Sequence, residues 1–297
     1  MSTQDFETRL DEAADRVTVA LDALLPRADG PESKLNSAMR YAALGPGKRL
    51  RPFFTIECGR LVNADERGLL RVGSALECIH AYSLIHDDLP CMDDDDMRRG
   101  RATVHKAYDE ATAVLAGDAL QSKAFEIIAH SDTHPRGEIR ARLVERLARA
   151  SGAHGMVGGQ MLDILAETEE FELSVITRMQ RMKTGALIAF AAEAGCVLCD
   201  VEDHIRRALD GFAHDLGLAY QITDDLLDVA GSAEAVGKAV GKDAGQGKAT
   251  FVTILGVEGA RDRARRLADQ AKDHLEIFGS RADVLKDAVD FVLDRRS

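Results

Sequence analysis

Apolar residues recur with the period of an α-helix from one end of the chain to the other. No segment shows the alternation of a half-buried strand, and no internal repeat or low-complexity linker interrupts the pattern. Breaks fall where Gly, Pro and Asp cluster, as in residues 90–100. We therefore predict one all-α domain over residues 1–297. The predicted helices cover roughly residues 4–25, 33–44, 48–62, 66–88, 107–130, 137–150, 153–166, 171–194, 201–230, 250–277 and 281–295.

Charge and cysteine content exclude several classes of protein. The chain has 38 Lys and Arg against 50 Asp and Glu, so a fold-wide nucleic-acid surface is not expected. Its five Cys are an odd number in a long chain and do not suggest a disulfide framework. Cys196 and Cys199 form a C-x-x-C pair without a second pair nearby, which favours helix packing over a zinc or redox site. The acidic N-terminus is no signal peptide, and no apolar run approaches the ~18 residues of a membrane span, so we expect a soluble cytoplasmic protein.

The first functional signal is an acidic run at the end of an apolar helix. Six Asp lie between His86 and Asp96. In the preceding helix His80, Ser83 and Asp87 share one side, because they are spaced i, i+3 and i+7. Pro90 lacks an amide proton and must end this helix, so the following turn is expected to bring Asp93 back toward Asp87.

A second acidic run lies on another strongly apolar helix. Gln221, Asp224, Asp225 and Asp228 are spaced i, i+3, i+4 and i+7 and form a polar stripe. Crowded carboxylates repel one another and are costly to desolvate, and cations relieve both effects. Oxygen ligands without His or Cys favour Mg²⁺ over zinc, and neither run has the spacing of an EF-hand. A solvated acidic helix end is the alternative for either run alone, but two such runs argue against it.

Basic residues that suit a Mg²⁺-bound polyphosphate follow or precede these runs. Arg98 and Arg99 come directly after the first, and Lys48 and Arg51 share a helix face after a Gly-rich turn. A Gly- and Lys-rich loop, residues 237–248, follows the second. No Walker or dinucleotide fingerprint is present.

Lys183, Thr184 and Gly185 interrupt another apolar helix. Glycine inside a helix costs about 1 kcal/mol relative to alanine. Gly185 either loosens the helical ladder so that the Lys183 carbonyl can face a cavity, or it serves close helix packing.

With these motifs the chain resembles the trans-prenyl diphosphate synthases, the head-to-tail isoprenoid elongases. The matching segments occur in the family's order from about residue 33 onward, and the paired Asp motifs are highly specific. They are GPGKRLRP (45–52), HAYSLIHDDLPCMDDDDMRRG (80–100), LAGDAL (115–120), KTGAL (183–187), YQITDDLLD (220–228) and GKDAGQGKAT (241–250). The four residues between Asp88 and Asp93 resemble the bacterial farnesyl and the plant or bacterial geranylgeranyl branches.

The resemblance implies an all-α isoprenoid synthase bundle around a central apolar cavity, a homodimer, and two or three Mg²⁺ ions per active site. Asp87, Asp93 and Asp224 would hold Mg²⁺ on the allylic diphosphate, with Asp88 and Asp228 as direct or water-mediated ligands. Arg98, Lys183, Lys238 and Lys248 would bind that diphosphate, and Lys48, Arg51, His80 and Arg99 would bind isopentenyl diphosphate. The Lys183 carbonyl, the Thr184 hydroxyl and the Gln221 amide oxygen would offer negative dipoles to an allylic cation.

Product length is expected to depend on Tyr82 and Ser83, five and four residues before Asp87. In the family an aromatic residue at the fifth position goes with a C15 product, which implies farnesyl diphosphate, whereas Tyr82 as ordinary core packing is the alternative. Cys91-Met92 also occurs in geranylgeranyl formers, so geranyl or geranylgeranyl synthesis stays open. A terpene cyclase would lack the second substrate site, and a non-catalytic subunit would have lost Asp from one run.

One position departs from the family's pattern. After Gly-Lys-Ala-Thr the family commonly has Tyr-Pro, whereas this chain has Phe251-Val252. The departure leaves the start of the following helix open, but it does not affect the expectation for Lys248.

Overall fold

The computed structural model describes the backbone of residues 3–235 and 250–294, and the side chains of residues 6–227, 229 and 250–294. Within these ranges the chain is helical apart from one short ribbon, which confirms the predicted all-α class. A π-helical turn, Arg181–Gly185, joins α9 to α10, and a 3₁₀ segment, Glu276–Ala282, precedes α13. The ribbon pairs β1 (Met97–Arg98) antiparallel with β2 (Arg101–Ala102). The helices are α1 (Thr3–Leu24), α2 (Ser33–Ala43), α3 (Leu50–Leu61), α4 (Glu66–Asp87), α5 (Val104–Ala107), α6 (Glu110–Ala129), α7 (Gly137–Ser151), α8 (Met156–Leu165), α9 (Leu173–Gln180), α10 (Ala186–Cys199), α11 (Asp203–Ala235), α12 (Phe251–His274) and α13 (Asp283–Asp294).

Contacts divide the chain into two compact units. The first, called here the N-terminal unit, comprises Glu7–Glu145 and Ala194–Asp200. The second, the C-terminal unit, comprises Met1–Phe6, Arg146–Glu193 and Val201–Ser297. The expectation of one domain over residues 1–297 stays a prediction.

In the N-terminal unit α4 packs against α3 and α6, and its apolar residues are buried. The contact with α6 is close at Gly117, because a Cβ atom there would lie 2.1 Å from Nε2 of His86. Only glycine allows this approach, which holds the end of α4 against α6. The acidic run begins at this end of α4, so its starting position is fixed relative to α6.

In the C-terminal unit α11 packs along α12. Helix α12 begins at Phe251 with a capping box, in which the Thr250 hydroxyl accepts from the Thr253 backbone amide and Thr253 Oγ1 accepts from the Thr250 amide. Phe251 is only 2 % exposed and joins the core formed with Ile222 and Leu218. The sequence left the start of this helix open because Phe251-Val252 departs from the family's pattern. The structure places that start at Phe251.

The stretch Leu173–Cys199 is long and apolar enough, by length and composition, to cross a membrane, with a mean hydropathy of 1.5. The sequence interpretation found no apolar run of that length. Since 67 % of its most apolar window is buried inside the protein, as in a core helix, the stretch is weak evidence for a span. All five cysteines are free, and Cys196 is buried in α10, as the packing interpretation predicts.

Candidate active site

The turn after α4 brings the first acidic run together. Helix α4 ends at Asp87, and the backbone amide of Asp93 donates to the Asp87 carbonyl oxygen at 2.8 Å. The amide of Asp94 donates to the Leu89 carbonyl oxygen at 3.2 Å. The expectation that Pro90 turns the chain and returns Asp93 to Asp87 is confirmed.

The carboxylates of this run form a crowded acidic group with one buried member. Asp88 is 3 % exposed, and Nε of Arg98 donates to its Oδ1 at 2.6 Å. Burial raises the pKa of Asp88, Arg98 opposes that rise, and the carboxylates of Asp95 and Asp93 add to it. A divalent cation would relieve this repulsion, and carboxylate oxygens are the ligands that Mg²⁺ prefers. The residues present therefore fit the expected ion.

The closest group of metal-type ligands in the described part of the chain is not the predicted one. One atom each of Asp94, Asp96 and His105 lies within 4.8 Å of the other two. Nζ of Lys106 forms an ion pair with Oδ1 of Asp96 at 2.9 Å. Asp87, Asp88 and Asp93 do not converge to this degree. The Asp88 carboxylate is instead paired with Arg98 at 2.6 Å.

Four arginines surround His80 in the N-terminal unit. Burial lowers the pKa of His80 well below its usual value, and the positive charges of Arg51, Arg99, Arg49 and Arg98 lower it further. The imidazole is therefore neutral near pH 7. Arg99 donates to the Pro46 carbonyl oxygen at 2.9 Å, and its Nη2 lies 3.5 Å from Nε2 of His80. The predicted residues Arg51, His80 and Arg99 thus belong to one cationic group that suits a diphosphate, and Lys48 lies exposed on the turn before α3.

Arg49 is a buried member of this cationic group, and the sequence interpretation missed it. Its backbone is left-handed, with φ of 51°. Its buried guanidinium bonds Glu77 at 2.5 Å, the Ala43 carbonyl oxygen at 2.8 Å and the Gly45 carbonyl oxygen at 2.7 Å. The signal was Glu77, a single carboxylate inside the apolar helix α4.

In the C-terminal unit Lys183 lies on the π-helical turn. The helical ladder is widened here, and a Cβ atom at Gly217 would lie 3.1 Å from Cα of Gly185, so a loosened ladder and close packing occur together. That the Lys183 carbonyl faces a cavity stays a prediction. Nζ of Lys183 donates to Oδ2 of Asp163 at 2.5 Å. Asp163 was not predicted, although a lone carboxylate on the apolar helix α8 is a signal for an ion pair.

A chain of hydrogen bonds links the π-helical turn to the second acidic run. Thr184 Oγ1 donates to Gln221 Oε1 at 2.9 Å, and Gln221 Nε2 donates to Asp225 Oδ1 at 3.1 Å. Oδ2 of Asp225 accepts from the Phe251 amide at 3.1 Å. Asp225, 6 % exposed, therefore anchors α12. Asp224 is half-buried on the same helix and stays a candidate ligand.

Three predicted residues cannot be compared with the structure. Lys238 and Lys248 lie outside the described residues, and the Asp228 side chain lies outside the described side chains.

Comparisons with known proteins identify the family of this chain. The family model "Polyprenyl synthetase" matches residues 32–290. The farnesyl diphosphate synthase of Escherichia coli is 41 % identical over 98 % of this chain and 99 % of its own. A crystal structure of an FPP/GFPP synthase from Zymomonas mobilis has a TM-score of 0.90 at 46 % identity, and covers 98 % of this chain and 100 % of that one. Geranylgeranyl pyrophosphate synthase 9 of Arabidopsis thaliana is 40 % identical over 92 % of this chain and 77 % of its own.

The chain belongs to the polyprenyl synthetase family. The resemblance drawn from the motifs is confirmed.

In this polyprenyl synthetase the residues predicted to set product length, Tyr82 and Ser83, lie in the last turns of α4. Tyr82 is 5 % exposed and meets the His86 ring edge to face at 5.8 Å between ring centroids. Burial raises the pKa of its hydroxyl. Ser83 Oγ donates to the His80 carbonyl oxygen at 3.0 Å. Tyr82 is therefore a buried aromatic side chain one helical turn before His86.

Gly159→Ala tests how this polyprenyl synthetase holds Lys183. A Cβ atom at Gly159 would lie 2.2 Å from the Lys183 backbone nitrogen. The methyl group must therefore push α8 and the π-helical turn apart, at a cost of ~1–3 kcal/mol in unfolding free energy. Urea titrations should show this loss, and Gly137→Ala, at the exposed start of α7, should show no such change. Equal stability of the two variants would contradict the close packing.

Proposed function

We propose that this protein is a Mg²⁺-dependent prenyltransferase that condenses isopentenyl diphosphate head to tail with dimethylallyl and geranyl diphosphate to give farnesyl diphosphate. One observation carries the proposal: the turn that returns Asp93 to Asp87 lies in the same unit as the cationic group around His80. Carboxylates suited to Mg²⁺ beside guanidiniums suited to a diphosphate are what this reaction needs. The farnesyl diphosphate synthase relatives support the same activity.

The proposed residue roles follow the sequence expectations. Asp87, Asp93 and Asp224 would hold two or three Mg²⁺ ions on the allylic diphosphate, assisted by Asp88 and Asp228. Arg98, Lys183, Lys238 and Lys248 would bind the allylic diphosphate, and Lys48, Arg51, His80 and Arg99 the isopentenyl diphosphate.

The chemistry requires binding, charge and exclusion of water. When bound, Mg²⁺ would supply the positive charge that neutralises the diphosphate leaving group. The allylic C–O bond then breaks, and the carbonyl of Lys183, the hydroxyl of Thr184 and the amide oxygen of Gln221 stabilise the allylic cation. Thr184 gives its hydrogen to Gln221, so its lone pairs remain for the cation.

The new carbon–carbon bond forms when the isopentenyl double bond attacks C1 of the cation. A proton then leaves the former isopentenyl unit and passes to the released diphosphate, so no nucleophilic side chain is needed. Neutral His80 donates or accepts one hydrogen bond without adding charge to the isopentenyl diphosphate site.

A geranylgeranyl product is the second candidate, because the Arabidopsis thaliana relative carries that name at 40 % identity. One experiment separates the candidates. The purified protein is incubated with Mg²⁺, dimethylallyl and isopentenyl diphosphates, and the dephosphorylated alcohols are chromatographed. A dominant C15 alcohol supports the proposal, a dominant C20 alcohol supports the second candidate, and turnover without isopentenyl diphosphate indicates a cyclase.

Tyr82→Ala should lengthen the product. If the buried ring of Tyr82 stops chain growth, its removal opens space at the depth where a C15 chain ends, and C20 or longer alcohols should dominate. Tyr108→Ala, the matched control on another aromatic residue of the same unit, should leave the chain length unchanged. An unchanged product spectrum for Tyr82→Ala would mean that another residue stops chain growth.

Homodimer formation and a cytoplasmic location are proposed as well. Five free cysteines suit a reducing compartment. Sedimentation of the purified protein at twice the 32.2 kDa chain mass would support the dimer.

A further inference from the structure

The β1–β2 ribbon is a strained support for two of the proposed diphosphate ligands. Its two-residue loop consists of Arg99 and Gly100, both with positive φ, at 51° and 75°. This is the pattern of a type I′ turn. The left-handed conformation is unfavourable for Arg99, which carries a Cβ atom, so surrounding contacts must hold it.

Tyr41 contacts both residues of β2, the strand that follows this turn. The Tyr41 hydroxyl donates to the Ala102 carbonyl oxygen at 2.8 Å. The Arg101 guanidinium stacks on the Tyr41 ring, with its central carbon 3.9 Å from the ring centroid. Tyr108 packs edge-on against the same ring at 5.8 Å between centroids. Tyr41 of α2 therefore contacts both residues of β2, Arg101 and Ala102.

A cavity lies beside the ribbon. It has a volume of about 70 Å³ and is lined by Tyr41, Pro46, Arg98, Arg99 and Arg101, among others. No side chain fills this space against the ribbon, so the Tyr41–Arg101 stack is one of the contacts that hold the ribbon in place.

The two arginines on β1 and its turn differ in how they are anchored. Arg98, opposite Arg101 in the ribbon register, is bound directly to Asp88 at 2.6 Å. Arg99 contacts the Pro46 carbonyl oxygen and His80 but has no such carboxylate contact in the described part of the chain. Loss of the Tyr41 contacts with β2 should therefore displace Arg99 more than Arg98.

We propose that Tyr41 and Arg101 are positioning residues that hold Arg99 in its binding conformation and thereby set the affinity for isopentenyl diphosphate. This inference rests on the proposed function. In this proposal each residue acts through the β1–β2 ribbon and not through contact with the substrate.

The test compares KM values and direct binding in matched variants. Tyr41→Phe keeps the ring and loses the hydroxyl, and Arg101→Met keeps the side-chain stem and loses the charge. Each should raise the KM for isopentenyl diphosphate about fivefold, the size of one hydrogen bond or cation–π contact. The kcat and the KM for geranyl diphosphate should stay within about twofold. Arg101→Lys keeps the charge but not the planar stack and should restore part of the affinity. Tyr108→Phe is the control and should change nothing.

A double-mutant cycle separates positioning from general stability. In an Arg99→Gln background, Tyr41→Phe should no longer change the KM for isopentenyl diphosphate, because the residue through which it acts is gone. Full additivity, or a rise of both KM values together, would overturn the inference.

Calorimetric binding of isopentenyl diphosphate distinguishes failure of the proposed function from failure of the inference about Tyr41 and Arg101. A wild-type protein that binds it without turnover contradicts the proposed function, while weaker binding by Tyr41→Phe would still support the inference. A wild-type protein that does not bind it overturns both.

Discussion

Asp87→Asn and Asp224→Asn should each lower kcat by about a thousandfold or more while the chain stays folded. Asn keeps the size of the side chain but removes the negative charge that a divalent cation needs. Without that charge the diphosphate leaves as an unneutralised anion, and ionisation of the allylic C–O bond slows. Steady-state kinetics with Mg²⁺, geranyl and isopentenyl diphosphates measure the effect, and circular dichroism checks the fold.

Asp210→Asn, exposed on α11 before the second acidic run, is the control. It should keep kcat within about twofold of wild type, since surface substitutions rarely have large effects. Near-normal turnover by Asp87→Asn or Asp224→Asn would refute the metal assignment.

Arg49→Met should destabilise the protein by ~3–5 kcal/mol. The side chains of Arg49 and Glu77 are each only 4 % exposed, so removal of the guanidinium leaves a buried carboxylate without its counter-charge. The Ala43 and Gly45 carbonyl oxygens lose the same donor. Urea unfolding followed by circular dichroism measures the change.

The double variant Arg49→Met/Glu77→Met tests the cause. When both charges are removed, no charge stays buried, and most of the lost stability should return. If the double variant is no more stable than Arg49→Met alone, the loss comes from the carbonyl hydrogen bonds or from packing of the arginine stem, and the electrostatic explanation is wrong.

The helix pattern was predictable because local signals act within a few residues. Asp65 caps α4 and Asp109 caps α6 through side-chain bonds to backbone amides, and Pro90 ends the helix that carries Asp87. These signals place the first acidic run and explain why its turn was predictable.

The ribbon was missed for a different reason. Strands of two residues are too short to show alternation, and the Arg99-Gly100 pair is a weak turn signal inside a charged run. Helix α5, with four residues, is likewise too short to show a helical period.

The site residues that sequence reasoning missed are those defined by a distant partner. Asp163 is 20 residues from Lys183, and Glu77 is 28 residues from Arg49. Asp225 shares the helical stripe of Asp224, yet its carboxylate binds the Phe251 amide, a contact that spacing alone does not reveal.

The most direct measurement is calorimetric binding of a poorly reactive geranyl diphosphate analogue that has sulfur in place of the bridging oxygen. The wild-type protein should bind it tightly with Mg²⁺. Without Mg²⁺, and in Asp87→Asn and Asp224→Asn, binding should weaken by about a hundredfold or more. Binding that is equally tight without Mg²⁺, or unaffected by either substitution, would contradict the claim that both acidic runs hold the allylic diphosphate through divalent ions.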